Sequence, residues 1–257
     1  MTSAKEMADD LITAERTRTA IAPFSDTYPD LDIQTAFQAQ WLFVEHHMDR
    51  GENLMGAKLG LTSRAKQEAM GVHEPSYGWV TSGMIAPHGE RLPLDELIHP
   101  RAEPEIAFLI GERLEAPATV VSVLAATRAV FAAIDVLDSR YADFRFRLTD
   151  VIADNASAGR VVLGPQARQP SELEDLRLVG CVLRRQGEVV ATAAGGAAMG
   201  HPAAAVAWLV NSLAEQGKQL VADSLVLSGG LTAPVRLQPG EVVSAEFDGL
   251  GSVEIFG

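Results

Sequence analysis

The feature that most limits how this chain can fold is the segment His99-Pro100-Arg101-Ala102-Glu103-Pro104-Glu105-Ile106-Ala107-Phe108. Two carboxylates sit two residues apart where an apolar run opens. In a β-strand, residues i and i+2 point to the same face. A strand here therefore aims Glu103 and Glu105 into one small volume. Like charges at that spacing raise each other's pKa unless something positive lies between them. A hard divalent cation, Mg²⁺ or Mn²⁺, meets that need because both take oxygen ligands. A solvated strand edge carrying two exposed acids is the other reading.

A second segment, Ile134-Asp135-Val136-Leu137-Asp138-Ser139-Arg140-Tyr141, sets Asp135 among apolar neighbours. Buried acids are rare unless paired or metal-bound. Asp135 is thus a candidate third oxygen ligand, or the partner of a nearby arginine. Lys58, in Gly56-Ala57-Lys58-Leu59-Gly60-Leu61-Thr62-Ser63, is a lone cation on an expected strand. It either pairs with an acid or acts near a carboxylate–metal centre, donating a proton or binding an anionic group. The stretches Asp154-Asn155-Ala156-Ser157-Ala158-Gly159-Arg160 and Ser228-Gly229-Gly230-Leu231-Thr232 are small and polar. They read as turns, and their backbone N–H groups can also hold an oxyanion.

A chain of 257 residues with 47% hydrophobic and 21% charged residues can bury a sizeable core. The formal charge of −13 argues against nucleic acid as a partner. The single cysteine, Cys181, excludes an internal disulfide and a cysteine metal cage. It lies in an apolar strand pattern without a nearby base, which reads as a core thiol. The histidines lack HExxH spacing, and His46 and His47 read as surface or capping residues. No GxSxG elbow, signal-peptide pattern or membrane-length apolar run is present, so the expected location is the cytoplasm.

Helices are expected over 4–21, ended by Pro23, and over 33–48, with Asp32 as N-cap and Gly51 as stop. Ser63 reads as the N-cap of a short helix over 64–70. Further helices are expected over 119–132 and from Pro202 to Gly217. Strands are expected over 55–60, 105–110, 133–137, 160–163, 176–184, 188–193, 224–227, 242–247 and 252–256. Gln186-Gly187 and Asp248-Gly249 are hairpin signals between pairs of them. Ala193 to Ala198 is a small-residue loop without the strand–helix context of a phosphate cradle. Helices dominate the start and strands the remainder. That is an α+β pattern with a mixed, mostly antiparallel sheet, divided into a helical segment, 1–52, and a β-rich catalytic domain, 53–257.

Five blocks, in order, resemble the hydratase/decarboxylase group of the fumarylacetoacetate hydrolase superfamily. They are Gly56 to Ser63, Pro100 to Phe108, Asp138-Ser139-Arg140-Tyr141, Asp150 to Ser157, and Leu227-Ser228-Gly229-Gly230-Leu231-Thr232-Ala233-Pro234. The resemblance implies that superfamily's mixed β-roll with an N-terminal helical segment. It implies that Glu103 and Glu105 bind Mg²⁺ or Mn²⁺. The third ligand position falls on Asp135, where the group usually has glutamate. Lys58 matches its active-site lysine, and Leu59 and Ser157 match positions lining its substrate site.

The hydratases of the group carry an aspartate in a Pro-Asp-Phe/Tyr-Gly segment. Here the segment is Pro75-Ser76-Tyr77-Gly78, and Ser76 cannot serve as a base as a carboxylate does. The resemblance therefore implies decarboxylation of 2-oxo-3-hexenedioate to 2-oxopent-4-enoate, in the meta-cleavage degradation of aromatic compounds. Hydration of 2-oxopent-4-enoate is the second expectation, and a non-catalytic partner subunit the third. Arg140 is the candidate for orienting the departing carboxylate. The implied partners are a small 2-oxo acid, further copies in a homo-oligomer, and a partner hydratase, with neither nucleic acid nor membrane.

Overall fold

The computed structural model describes residues 2–64, 67–68, 72 and 74–257. Most of the helix expected over 64–70 lies outside them, as does His73. Helix α1 (Ala4–Thr17) starts on a capping box between Ser3 and Glu6 and stops at Arg18, which takes a left-handed φ of 54°. It is thus shorter than the expected 4–21. Helix α2 (Phe24–Thr27) follows Pro23. Helix α3 (Ile33–Asp49) starts where Asp32 accepts the Thr35 N–H at 2.8 Å.

The strands are β1 (Leu54–Gly60), β2 (Ser76–Thr81), β3 (Ile85–Ala86), β4 (Arg101–Ile110), β5 (Thr127–Leu137) and β6 (Ala158–Leu163). Next come β7 (Gly180–Arg185), β8 (Glu188–Ala194), β9 (Leu225–Leu227), β10 (Val235–Arg236), β11 (Val242–Phe247) and β12 (Gly251–Phe256). Helices α4 (Val120–Ala126), α5 (Leu148–Ala153) and α6 (Pro202–Glu215) interrupt them. One sheet runs β2-β1-β9-β4-β5-β6-β3, with β10 added to β4. It is antiparallel except at β1–β9 and β3–β6. The second sheet, β12-β11-β7-β8, is antiparallel throughout. The turn Gln186-Gly187 joins β7 to β8 with both residues at positive φ, as a two-residue hairpin requires.

The N-terminal helices share one core with both sheets. Met7, Leu11, Phe43 and Val44 belong to the same buried cluster as Ile106, Ile134 and Val253. Phe37 stacks on Tyr77 and Trp41 meets Trp79 edge-on, which seats α3 against β2.

Two local expectations are corrected, and one strand was not expected. Residues 127–132 continue β5 and are not helical, because Val130 and Thr127 pair with Phe108 and Ile110 of β4. The helix ends as Thr127 Oγ1 donates to the Val123 carbonyl. The strand expected over 176–184 begins only at Gly180, and Leu178 is 69% exposed. Strand β2 lacks the period-2 pattern that marks a half-exposed strand, because all six of its residues are buried.

Pro104 sits inside the central strand β4. It is tolerated because its missing N–H faces the loop 228–231 that fills the gap between β9 and β10. On that side the Pro104 carbonyl accepts from the Leu231 N–H and the Ile106 carbonyl from the Ser228 N–H.

Candidate active site

Strand alternation places Arg101, Glu103 and Glu105 on one face of β4, while Ala102 and Ile106 enter the core. Glu103 lies directly opposite Asp135 of β5. Carboxylate oxygens of Glu103, Glu105 and Asp135 lie within 4.8 Å of one another, and all three residues are buried. The convergence expected of Glu103 and Glu105, with Asp135 beside them, is present.

Asp135 and Glu105 are held from different elements. Asp135 Oδ2 lies 2.6 Å from Lys58 Nζ of β1. Glu105 Oε2 accepts the Gly229 N–H at 2.6 Å. Gly229 has φ +99°, and a Cβ there would fall 2.0 Å from Thr62 Oγ1, so no other residue brings this N–H so near. Burial, followed by the charges of Asp135 and Glu103, drives the Glu105 carboxyl well above its ordinary pKa, against the opposing pull of Lys58 and the Gly229 N–H. Glu105 Oε1 is buried and accepts no hydrogen bond from the described residues. A hard cation fits this donor set, which offers oxygen only and carries more negative charge than Lys58 offsets.

Lys58 is fully buried, and its Nζ also donates to the Ala156 carbonyl at 2.9 Å. That carbonyl is aimed by an unusual backbone. Asn155, Ala156 and Ser157 all have φ between 51° and 54°, in the left-handed region. Such residues persist only where surroundings over-determine them. Asn155 supplies this, its amide accepting from Trp79 N at 2.7 Å and donating to Trp79 O at 2.9 Å. An ammonium has three protons. One goes to the Ala156 carbonyl, while Asp135 is held as an ion pair.

Lys58, Glu103 and Ala156 open onto a cavity of about 260 Å³. Lys58, Ser76, Glu103 and Ser157 line it together with the apolar side chains of Leu61, Leu137, Phe144 and Phe146. Ser76 Oγ is buried and makes no hydrogen bond with the described residues. Ser157 Oγ donates to Asp154 at 3.0 Å.

Two expected substrate residues lie elsewhere. The Leu59 side chain points into the core from the face of β1 opposite Lys58. Arg140 is buried away from the cavity, and its guanidinium is committed to structure. Nε meets Asp154 at 2.5 Å, Nη1 donates to the Asp138 and Ala158 carbonyls at 2.8 Å, and Nη2 donates to the Asp154 carbonyl at 2.6 Å. Burial would lower the Arg140 pKa, yet the Asp154, Glu15 and Asp138 charges outweigh it and hold the group charged. Asp138 likewise ties the chain ahead of β4, accepting the Ile98 and His99 N–H groups.

The arginine that does line the cavity is Arg101. It stands in the segment that carries Glu103 and Glu105, and its i, i+2 spacing from Glu103 was the available signal. Its guanidinium lies 3.8 Å from the centre of the Phe144 ring. Phe144 enters through a kink at Asp143 that no sequence pattern marks. The Cys181 thiol is buried in the core, as the sequence implies, and burial pushes it up to about 12.

A mixed sheet that gathers three buried acids and a lysine, with Glu103 and Lys58 reaching the cavity, defines a class of enzyme. Residues 51–255 match the fumarylacetoacetate (FAA) hydrolase C-terminal family, and the chain belongs to that family. It is 40% identical over 248 residues to the 4-oxalocrotonate decarboxylase of Pseudomonas sp. (strain CF600), spanning 96% of this chain and 94% of that one. It is 39% identical over 250 residues to the 2-keto-4-pentenoate hydratase of Paraburkholderia xenovorans (strain LB400), spanning 97% and 93%. Among solved structures it matches the 4-oxalocrotonate decarboxylase from Pseudomonas putida G7 complexed with magnesium and adipate. There the TM-score is 0.95 at 36% identity, over 98% of this chain and 96% of that one. The α+β roll and the family expected from the five sequence blocks are therefore both found. No helix among the described residues is long and apolar enough to cross a membrane.

Proposed function

We propose that the protein is a divalent-metal-dependent decarboxylase that converts 2-oxo-3-hexenedioate to 2-oxopent-4-enoate in the degradation of aromatic compounds. The observation that carries this reading is the buried cluster Glu103, Glu105 and Asp135, with Lys58 2.6 Å from Asp135, whose Glu103 and Lys58 line a cavity where Ser76 stands in place of a carboxylate. Similarity to decarboxylases over nearly the whole chain supports it.

Glu103, Glu105 and Asp135 would hold Mg²⁺ or Mn²⁺, which when bound supplies Lewis acidity toward the substrate's 2-oxo oxygen. The remote carboxylate is vinylogous to that of a β-keto acid. As the bond to CO₂ breaks, its electron pair moves through the alkene and negative charge gathers on the 2-oxo oxygen. Stabilising that charge is the main catalytic task. The Lys58 ammonium offsets the developing charge and donates a proton to C3 of the dienolate. Ser76 offers a hydroxyl that orients the substrate, and Ser157, whose proton goes to Asp154, shapes the cavity beside it. The apolar wall of Leu137, Phe144 and Phe146 excludes water, which strengthens these interactions.

Hydration of 2-oxopent-4-enoate is the second reading, supported by the 39% identity to a hydratase. It requires a base to activate water, and Ser76 is a poor one. The third, a non-catalytic partner subunit, has no use for a buried lysine–carboxylate centre. Purified protein with Mg²⁺ separates the readings. Decarboxylation releases CO₂ from 2-oxo-3-hexenedioate, hydration converts 2-hydroxypenta-2,4-dienoate to a hydroxylated product, and a scaffold does neither.

We also propose that residues 53–257 form the catalytic domain, with 1–52 a helical segment docked on it, since every site residue falls in the former. The enzyme is proposed to work in the cytoplasm as a homo-oligomer, in contact with a partner hydratase. The exposed edge strand β8, bearing Val189 and Val190, supports self-association. Light scattering tests the oligomer, and co-purification the partner.

A further inference from the structure

We infer that Arg101 forms a subsite for the carboxylate remote from the 2-oxo group, and so selects dicarboxylates over monocarboxylates. The inference rests on the preceding reading, in which the 2-oxo acid end is held at Glu103, Glu105 and Asp135.

Arg101 and Glu103 project from the same face of β4. At about 3.3 Å of rise per residue they stand about 7 Å apart along the strand, the scale of an extended six-carbon diacid. The cavity thus has an acidic end and a cationic end, joined by an apolar wall that includes Leu137 and Phe146. A substrate with a metal-seeking head, a hydrocarbon middle and an anionic tail complements that order.

The Arg101 guanidinium is half-buried and makes no ion pair or hydrogen bond with the described residues. Its position is fixed instead by the Phe144 ring 3.8 Å beneath it, which in turn packs against His99 at 4.6 Å. Stacking occupies a face of the guanidinium and leaves the in-plane N–H donors free, the geometry that suits a carboxylate. Arg236 lies opposite Arg101 in the β10–β4 register and adds positive charge at this end. Arg140, the other arginine of the neighbouring blocks, spends four of its five N–H donors on Asp154, Asp138 and Ala158 and does not line the cavity.

Ion pairing at a carboxylate that must leave as neutral CO₂ stabilises bound substrate more than the transition state. Arg101 therefore acts in binding, and its loss raises KM more than it lowers kcat.

The test compares Mg²⁺-loaded wild type, Arg101→Met and Arg101→Lys in binding adipate, a diacid, and 2-oxopentanoate, a 2-oxo monoacid, by calorimetry. Loss of a charged hydrogen-bonded pair corresponds to a weakening of about tenfold or more. The expected result is that adipate weakens by that amount in Arg101→Met and partly recovers in Arg101→Lys, while 2-oxopentanoate binding stays within about twofold. Equal weakening of both ligands, or of neither, overturns the subsite. If wild type binds adipate but not 2-oxopentanoate, the 2-oxo-acid reading fails, while the adipate comparison still reports on Arg101. Retained Mg²⁺ affinity and melting temperature in the variants show that the fold is intact.

Discussion

Lys58 Nζ and Asp135 Oδ2 are 2.6 Å apart although their strands, β1 and β5, are separated in the sheet by β9 and β4. The contact exists because the sheet curls, bringing side chains of one face together. Lys58 thereby does two jobs. It offsets charge in the acid cluster, and it lines the cavity.

Lys58→Met should lower kcat by about 10²–10⁴, the usual range for a lost proton donor. It should also destabilise the metal-free protein by about 3–5 kcal/mol, because Asp135 is left buried without its cation. Magnesium should restore much of that stability. Turnover assays and denaturant titrations with and without Mg²⁺ check both effects. Unchanged turnover removes the catalytic role.

Gly229→Ala should weaken Mg²⁺ binding without touching a proposed ligand. The new Cβ collides with Thr62 and displaces the N–H that Glu105 Oε2 accepts. Outer contacts of this kind are worth about 10–100-fold in metal affinity. Calorimetric Mg²⁺ titration of the variant measures the loss.

Arg140→Met should cost about 3–5 kcal/mol in unfolding free energy, since Asp154 is left buried and unpaired. Arg140→Lys should not recover it, because an ammonium cannot reproduce the guanidinium's divergent bonds to Asp154, Asp138 and Ala158. Urea denaturation checks the ordering. A mild effect for either variant would return Arg140 to the list of functional candidates.

His47 gives a pH signature remote from the cavity. Burial lowers its pKa, but the bonds and charges of Glu15 and Glu52 prevail, leaving it above the ordinary 6.5. A group raised on folding stabilises fully below its unfolded pKa and loses that contribution as pH rises through the folded value. The stability gap between wild type and His47→Gln should therefore be largest below pH 6.5 and shrink as pH climbs beyond it. Melting curves from acid to mildly alkaline pH test this. A gap that widens with pH contradicts it.

The acid cluster was legible because strand alternation alone brings Glu103 and Glu105 together, and an apolar context marks Asp135 as buried. Lys58 was legible for the same reason. The division of roles between Arg101 and Arg140 was not, because it depends on tertiary partners. Arg140 is captured by Asp154 across a loop whose left-handed residues carry no sequence mark beyond Asn155. Arg101 is freed for the cavity by the Phe144 ring, which arrives from a kinked segment more than forty residues on. Leu59 shares the Lys58 block, yet alternation sends its side chain to the opposite face. Strand β2 escaped detection because burial on both faces erases the alternation that identifies a surface strand. The strand over 127–132 followed a helical pattern until pairing with β4 overrode it.

The central claim, that Glu103, Glu105 and Asp135 form a divalent-cation centre, is tested most directly by titrating Mg²⁺ calorimetrically into wild type and Glu105→Gln. One saturable site in wild type, lost or severely weakened in the variant, is the predicted result. Equal Mg²⁺ binding by the two proteins, or none by wild type, would contradict it.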